Sequence, residues 1–192
     1  MTSFPVIHAL SGAVGYRFDF AGLSFVHSGD TRAGWPLVRA CEDGVDLLIH
    51  ECFPPAAALA AATGLSIERA TIALNAAHTS PTAAGKVFGL VRPRMAGLIH
   101  TFLTPQVIPL MFSELRAVYE GPVVQTQDLT VFNVTKDAVV ARQAQVSDQL
   151  PPIAGEQRVA YTPVQPEPPD WWADALIPLD DVQAPVAALA MS

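Results

Sequence analysis

Histidine is scarce in this 192-residue chain, and its five copies, His8, His27, His50, His78 and His100, are not scattered at random. Four of them stand where a short apolar run stops or in the loop that follows, the edge at which α/β sheets gather their functional groups. Two of those runs, DLLIHE over 46–51 and AGLIHT over 96–101, are near copies: a buried strand whose last act is a histidine. A third run, LSFVHSGDT over 23–31, breaks at Ser28-Gly29 and delivers one carboxylate, Asp30, at its end. Imidazole and carboxylate are the ligand set of zinc and other borderline first-row metals, and an aspartate with oxygens to share can bridge two ions. Any one of these histidines alone reads as a hydrogen-bonded core residue. The shared placement of the set, together with Asp30 and Glu51, points instead to one metal or acid/base site.

The elements that must position these residues follow from pattern. Tyr16, Phe18 and Phe20 alternate with Arg17 and Asp19 before the Ala21-Gly22 turn, which predicts a half-buried antiparallel pair with Leu23–Val26. Trp35 to Cys41 predicts a helix with proline in its first turn. Val45 to Ile49 and Ala96 to Ile99 are apolar runs of the buried-strand kind. Between them, 55–76 is alanine-rich and divided at Gly64 into two helical pieces, and Thr79 or Ser80 caps a helix that starts at Pro81 and stops before Arg92-Pro93. A further helix from Pro105 to Tyr119 and strands over 122–127, 129–134 and 138–142 complete an α/β layered domain over 1–142. From 143 to 192 the texture changes. Eight of the chain's 17 prolines fall in 151–185 among acidic residues, which predicts an extended or partly disordered tail with Trp171-Trp172 as either a docking anchor or its last hydrophobic contact.

Composition narrows the function classes. The net charge of −7 is spread as −2 over 1–140 and −5 over 141–192, with no basic stripe, so nucleic acid is not an expected partner and a small-molecule substrate is. No apolar run approaches the roughly 20 residues that cross a bilayer, so no membrane association is expected and cytoplasm is the default compartment. Cys41 and Cys52 lack knuckle spacing and read as buried free thiols. Ser28, Thr31 and Ser80 stand near histidines, but no strand–Gly-x-Ser-x-Gly–helix elbow exists, so they read as turn and capping residues.

The order His8, Gly15-Tyr16-Arg17, Ser28-Gly29-Asp30-Thr31, Asp46-Leu47-Leu48-Ile49-His50-Glu51, His78-Thr79-Ser80, Leu98-Ile99-His100 resembles the second half of a metallo-β-lactamase-fold hydrolase. Within that superfamily it resembles the branch holding ribonuclease Z and arylsulfatase-like or other small-molecule hydrolases, over about residues 5–135. The resemblance implies a fold, the C-terminal half of an αββα sandwich, followed here by the Pro-rich tail. It also implies roles: His8, Asp30 and His100 as metal ligands, Asp30 bridging two divalent ions, with zinc first in line and manganese or iron as alternatives. His78 matches the histidine that faces the leaving group, and His50 and Glu51 match a His-Glu pair that orients His78 or a ligand. His27 has no counterpart and reads as a structural strand residue.

Two departures from the family pattern shape the expectation. The family's first metal motif, His-x-His-x-Asp-His, belongs before His8, where only seven residues stand. The expectation is therefore a C-terminal half, weak in metal and activity alone, that pairs with a missing N-terminal half, a partner chain or another copy of itself. After the last histidine the chain reads Thr101-Phe102-Leu103-Thr104-Pro105, where ribonuclease Z relatives carry Ser and then Arg-Tyr. Phe102, Leu103 and Trp35 then either line an apolar pocket for a small ester, lactone, sulfate or phosphodiester or serve plain core packing. The competing expectation is a non-catalytic remnant that pairs through an open sheet face or its tail.

Overall fold

A computed structural model describes residues 1–101, 104–144 and 170–175. Eight strands and six helices follow in the order β1 (Thr2–Pro5), β2 (Val14–Phe20), β3 (Leu23–His27), α1 (Trp35–Ala40), β4 (Leu47–Glu51), α2 (Ala56–Thr63), α3 (Ile67–Ala77), α4 (Pro81–Val91), β5 (Met95–Ile99), α5 (Val107–Arg116), β6 (Val123–Gln125), β7 (Thr130–Val134), β8 (Val139–Gln143) and α6 (Trp171–Ala175) among the described residues. Six strands make one sheet in the order β1-β2-β3-β4-β5-β6, antiparallel through β3 and parallel from β3 onward, while β7 and β8 form a separate hairpin. The chain is therefore α/β, with a mixed sheet.

Period-two alternation decides what each strand offers to each face. Val26, Leu48, Ala96 and Leu98 are fully buried and pack with Val87 and Phe88 of α4 and Met111 and Leu115 of α5. Helices α4 and α5 approach closely because Gly85 has no side chain: a Cβ there would lie 2.7 Å from Val118 Cγ2 and 3.0 Å from the Leu115 carbonyl oxygen. Caps fall where the sequence predicts them. Ser80 accepts from Ala83 N–H at the start of α4 with Pro81 in its first turn, and Gly64 takes the left-handed conformation that ends α2.

The opposite face is covered in part. Phe132 of the β7–β8 hairpin reaches Gly97, and Arg94 ties the hairpin down through the Thr135 carbonyl while pairing with Asp46. Toward β2 the same face carries Tyr16, Phe18, Phe25 and His27 in a row, with Tyr16 and Phe18 each more than one third exposed. A groove of about 490 Å³ lined by Phe25, Leu47, Ile49, Ile99, Phe132 and Val134 runs beside that row.

The first strand is Thr2–Pro5, and the apolar Val6-Ile7 after it is buried loop held by Val6 N–H to the Ala13 carbonyl and by Ile7 N–H to Thr31 Oγ1. Trp35 packs against the core cluster, the packing role that competed with a pocket role for it. The tail expectation and the Phe102-Leu103 pocket fall outside the described residues, apart from α6, where Ala175 is buried beside Gly34. No single helix among the described residues is long and apolar enough to cross a membrane.

Phe88 is fully buried, with its ring edge-to-face with both His50 and Tyr119. Phe88→Ala should lower unfolding free energy by about 3–5 kcal/mol, read as a shift in urea midpoint at unchanged slope.

Candidate metal centre

The parallel strands all end at one edge, and the chemistry-bearing residues gather there. Asp30 follows the turn after β3, Glu51 is the last residue of β4, and His100 comes directly after β5. His78 is the residue at which α3 ends, in extended conformation, its N–H bonded to the Leu74 carbonyl. His8 lies in the loop after β1 and its Nδ1 contacts the Ala77 carbonyl at 3.0 Å, which sets its ring 5.3 Å from that of His78.

Local backbone explains how the turns deliver their groups. Gly29 has φ of +63°, and a Cβ there would come within 2.9 Å of the Val14 carbonyl oxygen, so the turn that presents Asp30 requires glycine. His27 Nδ1 accepts from Gly29 N–H at 3.0 Å, which gives this histidine a structural use in the same turn. His100 itself sits at φ of +57°. A non-glycine residue in that left-handed region costs on the order of 1–2 kcal/mol, and the strain is spent on turning the imidazole back over the sheet edge.

Glu51 is the centre of the group. Its carboxylate is fully buried, accepts from the Thr31 N–H through Oε1, and lies 3.0 Å from His78 Nδ1 through Oε2. His100 Nδ1 stands 3.1 Å from Asp30 Oδ1 and 3.7 Å from Glu51 Oε2, so Asp30 is its hydrogen-bond-distance partner and Glu51 acts on it across a longer gap. Phe53 closes the group from the side, its ring stacked on His78 at 4.0 Å and 8° and edge-on to His100 at 5.0 Å.

Charge follows from these contacts. Burial pushes the Glu51 carboxyl up, but the imidazoles of His100 and His78 and the Thr31 N–H outweigh it, and Glu51 is held below the ordinary glutamate range. The interaction with Glu51 raises His100, burial opposes it, and the Asp30 and Glu51 charges add to the rise. A buried carboxylate beside imidazoles that share its charge is a ready cation site. The donor atoms of Glu51, His78 and His100 all lie within 4.8 Å of one another.

The structure thus brings together five of the six residues singled out in the sequence: His8, Asp30, Glu51, His78 and His100. The tightest group, Glu51, His78 and His100, shares only His100 with the ligand set that the family resemblance implies. His50 is not in the group. Alternation along β4 turns it to the opposite face from Glu51, into the helix-side core, where Nδ1 lies 2.6 Å from the Glu51 carbonyl oxygen. Burial pushes its pKa down, so it is neutral there. Sequence reasoning could have separated the pair by the same alternation. It missed Phe53, whose stacking depends on the loop after β4 meeting the end of α3, a contact that no spacing reveals. Burial also pushes the thiols up, Cys41 to about 12, so neither is a soft ligand in waiting.

No protein-family model matches the chain, and no curated protein is significantly similar to it. Among solved structures the chain is similar to the metallo-beta-lactamase fold protein YhfI from Bacillus subtilis, at 19% identity and a TM-score of 0.48 over 66% of this chain. The chain spans 46% of the length of that protein. At that score the likeness says nothing of metal or substrate, and the chemistry rests on the geometry above.

In the metal-free chain the charges fix a pH window. His100 is raised in the fold, so its contribution to stability is complete below its ordinary value of 6.5 and is lost as pH rises through the raised value. Glu51 is lowered, so its contribution is complete above 4.5 and is lost as pH falls through the depressed value. Urea midpoints of the metal-free chain should therefore be highest between these limits, and His100→Asn should flatten the alkaline decline and also shrink the acid one, because His100 helps to hold Glu51 down.

Proposed function

We propose that this chain contributes half of the active site of a metal-dependent hydrolase of the metallo-β-lactamase superfamily, in the ribonuclease Z/arylsulfatase-like branch. The observation that carries the reading is the buried Glu51 carboxylate shared between His78 and His100, with Asp30 and His8 beside it, at the carboxyl edge of a parallel sheet. The order of motifs in the sequence supports it independently.

The donors fit divalent ions of the zinc class: imidazole nitrogens and carboxylate oxygens, with a buried negative charge to offset the cation. Asp30, His100 and His8 would hold them, and bound ions would supply Lewis-acid activation of water and of the scissile group. The protein's own residues then divide the remaining work. Glu51 accepts the Nδ1 proton of His78 and so leaves Nε2 of that ring as the end that can exchange a proton with a leaving group. Phe53, flat against His78, holds the ring plane and keeps water off one of its faces. The strained His100 and the Gly29 turn fix the two ligands that meet at Asp30.

Three ligands do not satisfy two ions, since each zinc takes about four donors. We infer that the remaining ligands come from a further polypeptide segment, in the same protein or in a partner, and that this segment covers the exposed Tyr16-Phe18 face and the groove beside it. That apolar face is also what favours the second reading, a non-catalytic subunit that pairs through its open sheet. Substrates are small, an ester, lactone, sulfate or phosphodiester, because the sequence carries no basic stripe suited to a nucleic-acid backbone.

Zinc titration against a chromophoric chelator separates the readings. The enzyme reading expects saturable binding by the full chain, weakened at least tenfold by Asp30→Ala or His100→Ala and unchanged in Cys52→Ser. An absence of saturable zinc binding would leave only the pairing subunit.

A further inference from the structure

The loops that carry the site residues are separate in sequence, yet one buried residue, through its backbone and its hydroxyl, touches nearly all of them. Thr31 is 2% exposed. Its Oγ1 accepts from Ile7 N–H at 3.1 Å, next to His8, and donates to the Arg32 carbonyl at 2.8 Å. Its own N–H donates to Glu51 Oε1, and its carbonyl accepts from Thr79 Oγ1 at 2.6 Å, next to His78. It follows Asp30 directly. Thr79, fully buried, passes the link on, since its carbonyl accepts from Phe53 N–H at 2.9 Å. His8, Asp30, Glu51, His78 and Phe53 are each bound to this pair directly or through an adjacent residue.

We propose that Thr31 is the positioning residue of the site, and that Thr31 and Thr79 together set where Glu51 and His78 meet. This goes beyond a turn or capping role, because none of the four contacts of Thr31 serves a helix end. A hydroxyl is needed at both positions for a stated reason. At Thr31 it takes up the Ile7 N–H, which is buried and would otherwise be unpaired; at Thr79 it crosses between loops that share no other side-chain bond among those named here. Valine has the shape of threonine without the hydroxyl, whereas serine keeps the hydroxyl and loses a methyl. The two substitutions therefore separate geometry from packing. The zinc half of the test rests on the metal-site reading above, and the histidine half does not.

The experiment uses the full chain, with Thr31→Val, Thr31→Ser, Thr79→Val and Thr79→Ser. Long-range proton–nitrogen spectra of the histidine rings in metal-free protein report the His78 Nδ1–H held by Glu51. Chelator competition reports zinc affinity. The expected result is that each valine variant folds, exchanges the His78 ring proton at least tenfold faster and binds zinc at least tenfold more weakly. Each serine variant should return both readouts to within about threefold of the parent. Valine variants that keep the protected ring proton and the zinc affinity within twofold overturn the proposal, even if they melt at lower temperature. If Thr31→Val does not fold, the Thr79 pair decides by the same criteria. If the parent binds no zinc but the ring proton tracks the substitutions, the positioning role stands and the metal reading falls. If zinc binds the parent and the valine variants alike while the ring proton is also unmoved, the metal reading stands and the positioning role falls.

Discussion

A fully buried carboxylate must be compensated or neutralised, and the arrangement around Glu51 is that compensation. Three donors from three loops reach it: the Thr31 N–H, His78 Nδ1 and, at longer range, His100 Nδ1. Because those loops follow β3, α3 and β5, the single charge holds the sheet edge together as well as the histidines. A substitution at Glu51 therefore removes a structural tie and a chemical group at once. That double use is why variants at the threonines are the more informative probes of how the site is held.

The same charge accounts for the polarity of the imidazoles. A carboxylate kept ionised in the interior fixes the tautomer of His78, with the proton toward Glu51, and it favours the charged form of His100. Two histidines beside one acid thus acquire different characters, one oriented by its hydrogen bond to Glu51, the other with its charged form favoured. Replacement of a proton by a metal ion at a site already built to hold positive charge needs little reorganisation. His100 in its left-handed conformation and glycine at position 29 show backbone shaped for the same end.

Much of this was legible in the chain, because strand ends are local. The repeat of an apolar run closed by histidine placed His50 and His100 at strand ends, and Ser28-Gly29-Asp30 announced a turn. Helices α2, α3 and α4 were marked by Gly64 and by the Ser80-Pro81 start. What was not legible depends on distance along the chain. Glu51 and His78 are 27 residues apart, and Thr31 and Thr79 are 48 apart; only the fold sets which loops meet. The Val6-Ile7 pair shows the limit from the other side: apolar residues predict burial, and they are buried, but as loop, because their hydrogen bonds go to Ala13 and Thr31 rather than along a regular strand ladder.

The open sheet face and the shortage of ligands are two sides of one inference, that this surface is built to be completed. Yet the central claim concerns the residues in hand and is testable without the completing segment. Anomalous diffraction at the zinc edge from crystals of the full chain soaked in zinc locates the ion directly. A peak is expected among His8, Asp30 and His100, beside the Glu51–His78 pair. A peak only at surface carboxylates such as Asp43 or Asp128, with that group empty at the same zinc concentration, would contradict it.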